Sequence, residues 1–490
     1  MINRALYRSE STNGEIQGAV RIVSSALLIL GFFYLVAVGV FLSDLVDGDP
    51  ILNLSDFNLT LSLVALVIFS VLFTVGTFSR AFYFFALPFV VLVTPNAVND
   101  LLPSFWAGPL SDLGVASVSL VTHLDLYLLL GVALYGRTAS EARVDHLRLS
   151  SIIVISVVLL VTGAILGWLV FSYSNPANPI LFFGNNFQIR YLLYTAIFIR
   201  FLNRVDCQYF FRGLYLAVLL LVVESIVYTT VFGAQELTSG NFGTNTFAVL
   251  LGFVVIILIK DPEIKKYKKI LYLSFVLGAV LLTGTRSVML WLPLSLIIYG
   301  VVARFGLTKP FIFGVSVFSV CGLVFMEEVA TYLEPAALLI ETDYAYLVSR
   351  GLVGGELASI LTRLSLWMSS IGIISEFPLG IGLSNFNYIK SDFGYSTAVF
   401  IDPHNDMINS YVQNGLIGGT VFLGLIFFGV FALDLRGRHQ PYAERVFPLL
   451  IFGALTGLTN SNFNKHQFFF LFSFVVFCVL IKKARPAKSM

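Results

Sequence analysis

One histidine stands where an imidazole could act as a general base. The segment Asp402-Pro403-His404-Asn405 comes shortly before an apolar run that enters near Leu416. Because Asp is a favoured N-cap and Pro a favoured first helical residue, we predict that His404 lies in the first turn of a helix. A neutral imidazole at a helix end can accept a proton from a reacting hydroxyl group. The alternative is a histidine that only helps to close the helix end.

Three arginines could bind an anionic group. Arg286 lies in a tight turn between two apolar runs, and Arg190 opens another run. Two guanidinium groups at one level could hold a diphosphate through paired hydrogen bonds, which lysine forms less well. Arg363 and Trp367 are four residues apart and share a helix face, where they could stack. The alternatives are snorkelling to a lipid phosphate for Arg286 and Arg190, and packing for Arg363.

The composition places these residues in a membrane protein. Of 490 residues, 57% are hydrophobic and 12% are charged, whereas soluble domains are usually about 45–50% apolar. A net charge of +2 without a long basic face excludes DNA and RNA as partners. We predict an all-α polytopic membrane protein with about 14 transmembrane helices, because each span needs about 20 apolar residues. The predicted spans are 22-43, 57-78, 81-99, 114-135, 151-173, 187-203, 213-233, 243-260, 270-284, 287-303, 309-325, 414-433, 446-462 and 467-481.

The distribution of positive charge predicts the topology. With both termini in the cytoplasm, most Lys and Arg residues fall on the inner side, as the positive-inside rule requires. Residues 1-325 then contain transmembrane helices 1-11, residues 326-413 form a large periplasmic loop with amphipathic helices, and residues 414-490 contain helices 12-14 and a cytoplasmic tail. The uncharged run 364-375 is too short to span, so we predict an interfacial or re-entrant helix. The cations left on the outer side are Arg190, Arg286, Arg350, Arg363, Lys390 and Lys465.

A series of motifs in the second half of the chain resembles a known family. The motifs are Arg363-Leu-Ser-Leu-Trp367, Glu376-Phe-Pro-Leu-Gly-Ile-Gly-Leu-Ser-Asn-Phe386, His404-Asn405 and Tyr411-Val-Gln-Asn-Gly415-Leu-Ile-Gly418. Weaker matches precede them at Asn241-Phe-Gly-Thr-Asn245 and Thr285-Arg286-Ser287. In order and spacing, the series is similar to that of the integral-membrane O-antigen ligase and Wzy-type O-antigen polymerase superfamily, over roughly residues 185-435.

This resemblance implies a GT-C-like fold and a glycosyltransferase in the bacterial inner membrane, with its active site facing the periplasm. It also implies an inverting reaction without metal or other cofactor. The implied substrates are an undecaprenyl-diphosphate-linked oligosaccharide donor and its acceptor. Membrane lipids are implied as further partners, and whether a chain-length regulator also binds is left open. In this interpretation His404 accepts the proton of the acceptor hydroxyl, while guanidinium groups stabilise the departing diphosphate. The implied diphosphate contacts are Arg190, Arg286 and Arg363, and the secondary candidates are Asn405, Asn245 and Glu376.

The resemblance leaves two enzyme activities open. A polymerase joins lipid-linked repeat units to one another, whereas an O-antigen ligase moves the glycan onto lipid A core. The number of predicted spans and the long outer loop favour the polymerase. A third hypothesis, a transporter of lipid-linked sugars, requires a polar path through several spans. The sequence has only scattered charges inside its apolar runs, so this hypothesis ranks last.

Overall fold

The chain is helical wherever its structure is described. The computed structural model describes residues 71–92, 123–136, 187–232, 236–237, 244–261, 264–305, 355–382, 385–393, 403–423, 443–459 and 470–475, with Cys478 and single helical positions between 151 and 169. No strand occurs in these ranges, so the all-α prediction is confirmed for them. The helices are α1 Arg80–Leu92, α2 His123–Tyr135, α3 Phe187–Phe201, α4 Arg204–Phe232, α5 Thr244–Lys260, α6 Lys266–Leu282, α7 Arg286–Arg304, α8 Gly355–Glu376, α9 Phe386–Ile389, α10 Asp406–Leu423 and α11 Ala443–Gly457.

Several of these helices are strongly apolar. Among the described residues, the stretch Val205–Val227 of α4 is both long enough and apolar enough to cross a membrane. The predicted spans 22-43 and 309-325 lie outside the described residues, and the number of about 14 spans stays a prediction. Shorter apolar helices occur at Arg80–Leu92, Leu124–Tyr135, Thr244–Ile259, Arg286–Val302 and Phe447–Gly457.

Close helix packing builds the main core. Helix α1 packs along α4, where Gly213 has no room for a Cβ because the carbonyl group of Phe85 occupies that space. Tyr83 and Tyr127 stack with ring centroids 4.6 Å apart, and each hydroxyl donates to the other residue's backbone carbonyl. These reciprocal bonds satisfy two buried hydroxyl groups and fix α1 against α2.

An ion pair joins the ends of three helices. Arg80, the first residue of α1, donates to both carboxylate oxygens of Asp206 at 2.9 and 2.7 Å and to the carbonyl of Phe201. Asp206 also accepts from the backbone N–H of Asn203, whose side chain accepts from the N–H of Asp206. This reciprocal pair caps the start of α4. The arginine therefore ties together the ends of α1, α3 and α4.

A second, smaller core lies between α8, α9 and α10. It continues through the 3₁₀ turn Lys390–Phe393, whose Phe393 carbonyl accepts from the hydroxyl of Ser369. Helix α8 has 22 residues and extends well beyond the predicted run 364-375. The buried apolar residues of this core are Leu366, Ile373, Ile374, Ile381, Phe386, Ile389, Tyr411 and Val412.

Helix α10 begins before the membrane span predicted at 414-433. The predicted span began at residue 414, but the helix begins at Asp406, so the predicted loop boundary at residue 413 falls inside it. Gly415 interrupts it with φ 69° and ψ −178°. This break divides α10 into a polar first half and an apolar second half. Because the predicted span starts almost at the break, the change in hydropathy marks the break and not the helix start.

Candidate functional site

His404 lies before α10 and not in its first turn, so that prediction was wrong. Its φ is 52°, the one positive φ outside glycine among the described residues. Asn405 is the cap: its Oδ1 accepts from the backbone N–H groups of Met407 at 3.0 Å and Ile408 at 3.1 Å. Asn caps a helix about as well as Asp, so local preference did not distinguish the two positions. Asp402, the predicted cap, lies outside the described residues.

Side-chain hydrogen bonds hold the chain on both sides of His404. The indole N–H of Trp367 donates to the carbonyl of Pro403 at 3.0 Å, which links α8 to the residue before His404. On the other side, Nδ2 of Asn405 donates to the carbonyl of Leu458 at 3.1 Å, just beyond α11. The left-handed backbone at residue 404 is therefore fixed by two different helices.

Arg363 is brought to the same neighbourhood by α8. It lies one helical turn before Trp367 on the same face, so the two Cβ atoms are about 6 Å apart. The indole N–H of Trp367, its predicted stacking partner, holds the carbonyl of Pro403. Arg363 is partly buried, and burial lowers the pKa of its guanidinium because desolvation disfavours the charged form. It remains protonated, as arginine does in proteins, and a partly desolvated cation attracts an anion more strongly than one in bulk water.

Arg286 is exposed at the first position of α7. The turn before it depends on Gly284, whose φ of 64° is left-handed, and on Thr283, whose hydroxyl donates to the carbonyl of Val280 at 2.7 Å. The hydroxyl of Thr285 is buried and has no hydrogen-bond partner. The turn thus places one cation at a helix N-terminus, where backbone N–H groups also favour anions.

The helix that carries Arg286 reaches the His404 region through the end of α11. Helix α7 packs against α11, and the indole N–H of Trp291 donates to Oγ1 of Thr459 at 3.3 Å. Thr459 follows Leu458, whose carbonyl accepts from Asn405. Trp291 of α7 and Asn405, the neighbour of His404, therefore bond to consecutive residues of the Leu458–Thr459 turn.

Two glycines dock the motif loop on the break in α10. The backbone N–H of Leu416 donates to the carbonyl of Pro378 at 2.8 Å, and that of Ile381 donates to the carbonyl of Val412 at 3.0 Å. Gly380 has φ 89°, and a Cβ there would clash with the backbone of Gly415. A Cβ on Gly415 would in turn clash with Leu379. The glycines of the motif series are thus required where two backbones touch.

The remaining predicted residues lie near the ends of three helices. Glu376 is exposed at the last position of α8, nine residues beyond Trp367 and about 13 Å along the helix. Asn245 is exposed in the first turn of α5. Arg190 lies in the first turn of α3, and its side chain is outside the described part of the chain.

Two ionisable residues of this region were not among the predicted site residues. Glu236 is exposed, and its Oε1 lies 3.0 Å from where a Cβ on Gly284 would be, beside the turn that carries Arg286. The N–H of Leu237 donates to the carbonyl of Leu282 at 2.9 Å and so anchors this carboxylate. Lys390 was counted among the outer cations, but its side chain is only 2% exposed. An acidic residue just past a predicted span was the available signal for Glu236.

Part of the chain is similar to a known protein family. Residues 271–423, just under a third of the sequence, match the family model described as O-antigen ligase. The matched segment contains Arg286, Arg363, His404 and Asn405. No curated protein matches the chain. Within the described residues, no group of three or more His, Cys, Asp or Glu side chains could hold a metal ion.

Proposed function

From the match of residues 271–423 to the O-antigen ligase family model, we propose that the chain belongs to this family and is an inner-membrane glycosyltransferase with a polyprenyl-diphosphate-linked glycan as donor. The observation that carries this proposal is the construction around His404. A histidine with a left-handed backbone is held from both sides by Trp367 and Asn405, inside the matched segment. Backbone conformations of this kind are costly and concentrate at functional sites.

The proposed reaction needs one base and a cationic site for the leaving group. The acceptor hydroxyl attacks the anomeric carbon of the donor sugar, and His404 takes the hydroxyl proton. The bond between that carbon and the diphosphate oxygen breaks, and the polyprenyl diphosphate leaves as an anion with inversion at carbon. Arg286, Arg190 and Arg363 stabilise this anion electrostatically, the role that a metal ion has in other glycosyl transfers.

The acceptor distinguishes two forms of this activity. We propose a polymerase that joins undecaprenyl-diphosphate-linked repeat units at the periplasmic face, because the many predicted spans and the long outer loop favour it. The second candidate is a ligase that transfers the glycan to lipid A core, and the description of the matching family favours that one. Both use the same donor chemistry, so the proposed roles of His404 and the arginines are common to them.

A substitution at His404 tests the proposed base. Asn is the matched replacement, because it tolerates a positive φ but cannot accept a proton at neutral pH. We expect His404→Asn to reach the membrane at wild-type level and to lower glycan transfer by about 100-fold or more. Transfer is measured with purified protein and lipid-linked donor, with and without a chelator. Wild-type turnover of His404→Asn would remove the base from the mechanism, and loss of turnover in chelator would contradict a metal-independent reaction.

Deletion of the gene separates the two forms. We expect a strain without a polymerase to carry a single repeat unit on the lipopolysaccharide core, visible as one band above the core on a gel. A strain without the ligase carries no repeat units on the core, and lipid-linked glycan accumulates. The second pattern would overturn the polymerase proposal in favour of the ligase. An unchanged ladder of chain lengths would contradict both.

A further inference from the structure

We propose that the Leu458–Thr459 turn sets the separation between the helix that begins at Arg286 and the segment that carries His404. In this proposal Trp291, Thr459 and Asn405 are positioning residues that act through Arg286 and His404. The proposal rests on the proposed function for its catalytic consequence, but its geometric claim can be tested alone. The motif series gives no role to Trp291 or Thr459, and it offers Asn405 only as a secondary candidate. The indole N–H of Trp291 donates to the hydroxyl oxygen of Thr459, and Nδ2 of Asn405 donates to the backbone carbonyl of Leu458.

The first half of the connection joins α7 to the turn. Trp291 lies five residues after Arg286, about 7 to 8 Å along α7, and its Nε1–H donates to Oγ1 of Thr459. The hydroxyl of Thr459 donates in turn to the carbonyl of Thr456, the last turn of α11. The bond therefore fixes the rotation of α7 relative to the end of α11, and with it the direction in which the start of α7 faces.

The second half joins the turn to the His404 segment. The amide of Asn405 has two separate functions, because Oδ1 caps α10 while Nδ2 donates to the carbonyl of Leu458. Asp406 follows directly and lies buried against Gly457, where an added Cβ would be 3.4 Å from the Asp406 Cβ. The start of α10 thus rests on the end of α11 at one point, and the position of His404 relative to α11 is set there.

A hydrogen bond of this type contributes only about 1 kcal/mol to stability, so its loss leaves a folded protein. Catalysis is more sensitive, because a displacement of about 1 Å between reacting groups can lower the rate 100-fold. The turn links two groups that must act on opposite sides of the same anomeric carbon. A weak bond in this place therefore affects the rate more than it affects folding.

Conservative substitutions isolate each bond. Trp291→Phe keeps a ring and removes the N–H donor, Thr459→Val keeps the shape and removes the hydroxyl, and Asn405→Asp keeps the cap but removes the donor to Leu458. We expect each to lower kcat by about 10- to 100-fold, with the donor KM within about threefold of wild type. Because Trp291→Phe and Thr459→Val remove the same bond, the double variant should be no slower than the worse single variant.

Thr456→Val is the matched control. It makes the same chemical change one helical turn earlier in the chain. Among the described residues, the Thr456 hydroxyl bonds to carbonyls of its own helix, those of Phe452 and Gly453. We expect its kcat to stay within about twofold of wild type. A wild-type kcat for Thr459→Val in active enzyme, or a loss in Thr456→Val equal to that in Thr459→Val, would overturn the positioning role.

A distance measurement tests the geometry without activity. Spin labels are attached at Leu290 on α7 and Ile417 on α10, which are 57% and 71% exposed, in a variant whose three cysteines are replaced by alanine. We expect Thr459→Val and Asn405→Asp to broaden or shift the distance distribution, and Thr456→Val to leave it unchanged. An unchanged distribution overturns the proposal. If the distance distribution broadens in the variants but the parent protein transfers no glycan, the geometric claim is supported and the proposed function is contradicted.

Discussion

Left-handed backbone conformations mark the residues on which the site depends. Among the described residues, φ is positive at His404 and at Gly284, Gly380, Gly382 and Gly415. An L residue with a side chain adopts this conformation at a cost of about 1–2 kcal/mol, whereas glycine does so freely. His404 therefore carries strain that its neighbours must offset. The bond from Trp367 to the Pro403 carbonyl and the bond from Asn405 to the Leu458 carbonyl offset this strain.

Gly415 gives a test at the scale of a single residue. We expect Gly415→Ala to lower the free energy of unfolding by about 2–4 kcal/mol, because alanine there combines a positive φ with a clash against Leu379. The measurement is the thermal unfolding of purified protein in detergent. Gly278→Ala is the control: its helix position has nothing within 4 Å of an added Cβ, and alanine should stabilise it slightly. Equal melting temperatures for the two variants would contradict the docking of the motif loop on α10.

Several of the polar bonds between the described helices involve a helix end. Asn405 and Trp291 connect α10 and α7 to the end of α11, while Trp367 connects α8 to the residue before His404. At another group of helix ends, Arg80 binds Asp206 and the carbonyl of Phe201. Apolar helix faces can slide past one another at little cost, but a directional polar bond at an end fixes rotation and register.

The Arg80–Asp206 pair gives a test at the scale of the helices. The Asp206 side chain is only 4% exposed, so removing its partner leaves a buried carboxylate without its cation. We expect Arg80→Leu to lower the free energy of unfolding by about 3 kcal/mol and Arg80→Leu with Asp206→Leu to recover part of that loss. Thermal unfolding in detergent measures both. The control is Lys268→Leu, at an exposed position of α6, which should change little. A double variant less stable than Arg80→Leu would contradict this account.

At the scale of the whole molecule, the predicted topology places the His404 region outside and the lysine cluster at the start of α6, Lys265, Lys266, Lys268 and Lys269, inside. Labelling of single cysteines tests this arrangement. Asp392 and Lys268 are both exposed, Asp392 in the 3₁₀ turn Lys390–Phe393 and Lys268 in α6. We expect a membrane-impermeant maleimide added to spheroplasts to label Asp392→Cys and to label Lys268→Cys only after the membrane is permeabilised. The reverse pattern would invert the topology and place the proposed site in the cytoplasm.

Local sequence predicted which residues are candidates for the site better than it predicted the contacts that hold them in place. The types and spacing of His404, Arg363 and the motif glycines were readable, because helix periodicity and turn preference act within a few residues. The cap of α10 was misplaced because Asp402 and Asn405 are both good caps. Two bonds between residues distant in sequence accompany the cap at Asn405: Trp367 donates to the carbonyl of Pro403, and Asn405 donates to the carbonyl of Leu458.

The sequence by itself determined that the chain is helical and apolar, that its second half carries the motif series, and which side chains could do chemistry there. Only the tertiary structure decided that Trp291 meets Thr459, 168 residues away, that Arg80 meets Asp206, 126 residues away, and that Gly380 rests on Gly415. The physical reason is that composition and periodicity fix what each helix is and which face is apolar. They do not fix how far each helix is rotated or which neighbour it meets, since apolar faces are interchangeable and the few long-range polar bonds make that choice.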